Sequence, residues 1–195
     1  RKLNFFILLA LLLLPCWADN HKQATRSPAS VVQQLYKTHL ATQNLIKTVQ
    51  KDGKCFTPGF RIIIVDALKK APQNSSNFVD VDFLINSQTE LGDFEVLKTT
   101  EIPKKKEPDK ALEPEWTVDV RVWTGLNSRK SAQDKSKRDS WPYVFPARFY
   151  LIDVGEGPQI REIEWVEHEV IEDGQKETQP AFWVRPWLDG IAKGK

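Results

Sequence analysis

Asp80, Asp82 and Asp93 flank the short apolar run Phe83-Leu84-Ile85. Carboxylates beside apolar residues can raise one another's pKa and serve as a general base. They can also offer oxygens to a hard cation, but a D-x-D pair lacks the other ligands of a calcium loop. The simplest chemistry for Asp80 or Asp82 is capping: a carboxylate accepts the first backbone N–H groups of the Phe83–Ile85 turn. Arg121 and Arg148 alternate with apolar neighbours, and Tyr150 follows on the same stretch as Arg148. Facing a cleft, the two guanidinium forks would grip an anionic group; facing solvent, they would be ordinary exposed residues. His168 stands among Glu164, Glu167 and Glu169. One His with scattered acids does not meet zinc spacing, so a solvated strand face is the expectation there. His39 falls on or beside a helical apolar stripe and reads as a half-buried, hydrogen-bonded histidine. Cys55 would need a neighbouring base to be a nucleophile, and nothing places His21, His39 or His168 beside it, so it reads as a small apolar residue. No catalytic residue, metal ligand or cofactor is assigned.

The elements that must position these residues follow from periodicity and punctuation. Val31, Leu35, Tyr36, Leu40 and Ile46 recur at three- and four-residue steps, which predicts a helix capped by Ser30 and running to about residue 51. Thr57-Pro58 starts a second helix, with Phe60, Ile63, Ile64, Ala67 and Leu68 inward and Lys69-Lys70 at its end. Strands are expected over 94–102, 116–123, 144–154 and 160–171, joined by turns and therefore antiparallel. The clearest is Trp116 to Trp123, where Val118, Val120 and Val122 alternate with Asp119 and Arg121. Residues 103–114 form a Pro- and Lys-rich linker, and 125–142 a polar, largely basic loop. The aromatic tail from Pro180 to Trp187 suits an extra strand or a packed cover. Of the tryptophans, Trp116 and Trp165 are expected in the core, Trp123 and Trp183 at a surface. The predicted fold class is α+β, with N-terminal helices on a curved antiparallel sheet.

The chain opens with Arg1 and Lys2, an apolar run from Leu3 to Leu14, then Pro15-Cys16-Trp17-Ala18. This order predicts a cleavable secretory signal over 1–18, since the run is too short to span a bilayer. A loose leader at 19–28 and one domain over 29–195 would follow. Lipidation at Cys16 is the alternative, and the only expected route to a membrane. The chain carries 28 Lys+Arg against 26 Asp+Glu, and loss of Arg1 and Lys2 removes the difference. A neutral mature chain argues against nucleic acid as partner. It would keep only Cys55, so no internal disulfide supports its core.

Residues 79–94, VDVDFLINSQTELGDF, with Tyr36 and the Phe56-Thr57-Pro58 helix start, carry a resemblance. The chain resembles small exported bacterial proteins of unknown function with a fold like nuclear transport factor two, also called cystatin-like. The matching positions are Tyr36, Phe56-Thr57-Pro58, Asp80, Asp82, Phe83-Leu84 and Gln88, within about residues 29 to 170. The resemblance implies a long helix across a curved sheet, enclosing a conical cleft. Ligand-binding candidates are then Asp80, Asp82, Gln88, Arg121, Arg148 and Tyr150. The expectation is a periplasmic or secreted binding protein, without catalysis, taking a small molecule or a protein partner in or near the cleft. One specific form is an immunity-type inhibitor of an envelope-acting toxin. The alternative is a small envelope hydrolase or isomerase with Asp82 or His168 as acid or base. Geometry discriminates: convergence of Asp82, Arg121 and Tyr150 on a reachable pocket favours ligand or enzyme, and a cleft plugged by aromatic rings leaves a partner surface.

Overall fold

Ser27, followed by Pro28, starts the first helix in a computed structural model that describes residues 26–70, 82–86, 90–103, 113–125, 143–172 and 175–193. The Ser27 hydroxyl accepts from Ser30 N (3.2 Å), and the Ser30 hydroxyl returns a bond to Ser27 O (2.7 Å). The cap thus lies three residues before the expected Ser30, because Pro28 suits the first helical position. This helix, α1 (Pro28–Thr42), buries Val31, Val32, Leu35, Tyr36 and His39.

The helix expected to run on to residue 51 instead breaks at Gln43, which is left-handed (φ 46°, ψ 34°). Two bonds offset that conformation: Gln43 Nε2 donates to Leu91 O (2.7 Å), and its Oε1 accepts from Leu91 N (3.0 Å). Asn44 then caps α2 (Leu45–Asp52), accepting from Lys47 N (2.9 Å). The 3.6-residue pattern survives the break because periodicity reports the buried face, not backbone continuity. One 3₁₀ turn, Gly53–Cys55, follows. A Cβ at Gly53 would lie 2.9 Å from Nε of the exposed Arg61 side chain, which would have to swing aside. Phe56 bridges Ile160, and Thr57 N donates to Ile160 O (2.8 Å), which fixes the entry into α3 (Pro58–Lys70). That helix begins and ends where Thr57-Pro58 and Lys69-Lys70 predict.

The sheet consists of β1 (Leu91–Glu101), β2 (Trp116–Thr124), β3 (Tyr143–Asp153), β4 (Pro158–Trp165) and β7 (Phe182–Trp183), in that spatial order and antiparallel throughout. The expected strand 160–171 is two strands. Val166 leaves the ladder after donating to Pro146 O (3.0 Å), and β5 (His168–Glu172) pairs instead with β6 (Gln175–Gln179) as a separate hairpin. After β7 comes α4 (Val184–Ala192), which buries Val184, Leu188 and Ile191 and packs on α3 and β4.

Period two sorts the sheet residues between its faces. Val118, Val120, Val122, Phe145, Ala147, Phe149 and Leu151 face the helices and are buried with Tyr36, Phe60, Phe83 and Trp165. Asp119, Arg121, Arg148 and Tyr150 stand on the other face. Trp165 is in the core as expected, but Trp123, expected at a surface, is only 4% exposed. The protein is therefore α+β, with helices on one face of a five-stranded antiparallel sheet. Among the described residues no helix is long and apolar enough to cross a membrane. Residues 1–25, where the expected signal and most of the expected 19–28 leader fall, Asp80, Gln88, and most of the 103–114 linker and 125–142 loop lie outside the described residues.

Candidate functional site

On the helix side of the sheet, the chemistry-bearing groups are tied to the segment 82–86. Asp82 Oδ1 accepts from Leu84 N (2.9 Å), the capping bond expected of it. Its Oδ2 lies 3.2 Å from His39 Nε2. On the far edge of the ring, His39 Nδ1 is 3.0 Å from Thr48 Oγ1, which is 2.7 Å from Thr42 Oγ1. The Tyr36 hydroxyl donates to Leu84 O (2.8 Å), and Trp165 Nε1 donates to Phe83 O (3.1 Å). Burial, and then the Asp82 charge, push the Tyr36 phenol well above its ordinary range.

A hydroxyl, an imidazole and a carboxylate in line have the polarity of an activated nucleophile. Access rules that chemistry out here. Thr48 is 0% exposed and His39 1%, so no substrate atom reaches the hydroxyl. These bonds instead satisfy buried polar groups and hold Phe83, Leu84 and Ile85 in the core. The volume between α1 and the sheet is filled by rings: Tyr36 stacks on Phe94 (5.1 Å between centroids) and meets Phe149 edge-on (5.7 Å).

The outer face of the sheet carries the remaining candidates. Arg148 Nε lies 2.7 Å from Asp119 Oδ1, a bond that holds the guanidinium still more firmly protonated. The Tyr150 hydroxyl donates to Glu164 Oε2 (2.6 Å). Partial burial, then Glu164, push that phenol up to about 12. The Trp183 ring lies 5.3 Å from that of Tyr150, and the Arg121 guanidinium lies 5.9 Å from the Trp123 ring. Trp183 itself is 43% exposed. Arg121, Arg148 and Tyr150 thus share one face, and Asp82 lies on the other side of the sheet, paired to a buried histidine. The four do not converge on a pocket.

The other candidates sit apart. His168 Nδ1 is 2.9 Å from Val166 O and its ring packs edge-on against Phe145, while Glu169 pairs with Lys176. The Cys55 thiol is buried, and burial with the nearby Asp52 pushes its pKa up to about 11, so it stays an inert thiol at neutral pH. Asp93 Oδ1 accepts from Phe94 N at the start of β1. Two adjoining open grooves, about 510 and 540 Å3, share Lys54, Glu156 and Gln159 beside the β3–β4 turn; Cys55 lines the first, and none of Asp82, Arg121, Arg148 and Tyr150 lines either. Among the described residues, no three His, Cys, Asp or Glu side chains are grouped to hold a metal.

Two partnerships were not visible in the residues alone. His39 with Asp82 joins positions far apart in sequence. Trp183 with Tyr150 requires a strand pairing, β4 to β7, that a two-residue strand does not announce. No protein-family model matches this chain, and no curated protein or solved structure matches it.

Proposed function

We propose that this is an exported, non-catalytic binding protein that engages a protein partner with the outer face of its sheet. Export is read from the signal-like residues 1–18. The fold proposed is the cystatin-like cone, with α1 across the sheet and the cleft of that cone occupied by Tyr36, Phe83, Phe149 and Trp165. With the cleft filled, a small-molecule or acid–base role for Asp82 has no room.

The observation that carries the reading is the platform on the outer face. Trp183 rests against Tyr150, and beside them lies the partly exposed Arg148–Asp119 pair. Tryptophan, tyrosine and arginine are the side chains that dominate protein interfaces, because each buries a large apolar body and keeps a polar handle. A partner desolvating this patch would strengthen the Arg148 and Tyr150 bonds now open to water.

Native mass spectrometry of the protein recovered from its own cell envelope tests the reading. A protein-sized addition, lost when Trp183 is replaced by alanine, is the expected result. An adduct of small-molecule mass that survives the Trp183→Ala change would overturn it.

A further inference from the structure

β1 is the outermost strand of the sheet, and among the described residues no strand but β2 pairs with it, although the Gln43 side chain bonds Leu91 at its start. It is eleven residues long, and Leu97 near its middle is 47% exposed. An edge of this length is a template for another strand unless something blunts it. Here the register against β2 shifts between Val96, opposite Val120, and Lys98, opposite Asp119, so Leu97 is an extra residue.

That extra residue changes what the edge can pair with. In an unbulged strand, residues an odd number of steps apart point to opposite faces. Across Leu97 the rule inverts. Phe94, Val96 and Thr99 lie opposite the buried Val122, Val120 and Val118, whereas Glu95 and Lys98 lie opposite Arg121 and Asp119 on the outer face. Glu95 and Lys98 are three steps apart and share a face.

We infer that β1 is a self-pairing edge, by which two copies of the chain join their sheets antiparallel in a register centred between Val96 and Leu97. In that register Glu95 of each copy stands opposite Lys98 of the other, and this pairing occurs twice about the two-fold axis. Asp93 meets Thr100 on the same outer face, and Phe94 meets Thr99 on the core face. Registers that set residue 95 opposite 95, or 98 opposite 98, put like charges together and mismatch the faces beyond the bulge. Glu95 has an interaction within its own chain, and the second copy's Lys98 adds to it. The inference is independent of the partner proposed for the outer face, which a ten-stranded sheet would present twice.

Sedimentation equilibrium of the purified full chain, across about a hundredfold range of concentration, reads the association directly. The expected result is a monomer–dimer equilibrium. Glu95→Lys and Lys98→Glu, each alone, turn both cross-pairs into like-charge contacts and weaken the dimer about tenfold or more. The two single variants mixed together restore both pairs and form a heterodimer, and the double exchange E95K/K98E restores the homodimer. Unchanged thermal unfolding of the variants separates these effects from misfolding. A monomer at every concentration overturns the inference. So does a dimer insensitive to the single changes, or a mixture that associates no better than either variant alone.

Discussion

The two sides of the sheet carry the same kinds of residue and use them in opposite ways. Inside are Tyr36, the His39–Asp82 pair and Trp165; outside are Tyr150, the Arg148–Asp119 pair and Trp183. Inside, every polar handle is turned to a backbone atom or a buried neighbour of the segment 82–86. Outside, the handles bond to neighbouring side chains such as Glu164 and Asp119 and remain partly wet. A buried polar group left without its partner costs its full desolvation, whereas an exposed one is rehydrated. The interior set should therefore act on stability and the outer set on association.

The largest expected effect breaks the comparison at its acids. Asp82→Ala leaves the buried His39 Nε2 and the Leu84 N–H without an acceptor and should cost about 3 kcal/mol. Asp119→Ala, at an exposed pair, should cost roughly 0.5 kcal/mol. Urea unfolding of the two variants measures the difference, and equal losses would contradict the division between the faces. The tyrosines sharpen it. Tyr36→Phe keeps the ring packing on Phe94 and Phe149 but strips Leu84 O of its donor, at about 1–2 kcal/mol, whereas Tyr150→Phe should change stability by less than about 0.5 kcal/mol.

A smaller, pH-dependent effect lies on the boundary. Glu162 Oε1 accepts from Arg185 N (2.8 Å) and Ile163 N (2.9 Å), yet burial raises its pKa above the usual 4.5 despite those donors. A carboxyl with a raised folded pKa binds its proton more tightly folded than unfolded. Its contribution to stability is thus complete below the unfolded value and is lost as pH rises through the folded one. Glu162→Gln keeps an acceptor for both N–H groups and removes the charge. The stability of the native protein relative to that variant should fall as pH rises from about 4 into the neutral range. A relative stability that rises over that window would refute the assignment.

The fold class was legible because its signals are local. Thr57-Pro58 announces α3, and the alternation of Val118, Val120 and Val122 announces β2 and its buried face. The break at Gln43 was not legible, since its cause is a bidentate contact with Leu91 that no local pattern records. The split after Trp165 escaped for a similar reason, because β5 takes β6 rather than β3 as its partner. The helix after β7 was hidden behind an aromatic run broken by Pro186 and Gly190. At the site, the capping role of Asp82 was readable from its place before Phe83-Leu84. Its bond to His39 was not, and that bond turns a turn-capping aspartate into a tie between α1 and the core. Trp123, expected at a surface, is covered.

The central claim is that the outer sheet face is the working surface, and site-specific photo-crosslinking in the native cell tests it most directly. A photoreactive residue in place of Trp183 is compared with one in place of Ile62, a residue 61% exposed on α3. The account predicts a discrete protein adduct at position 183 and none at position 62. An adduct at position 62 alone, or at neither position, would contradict it.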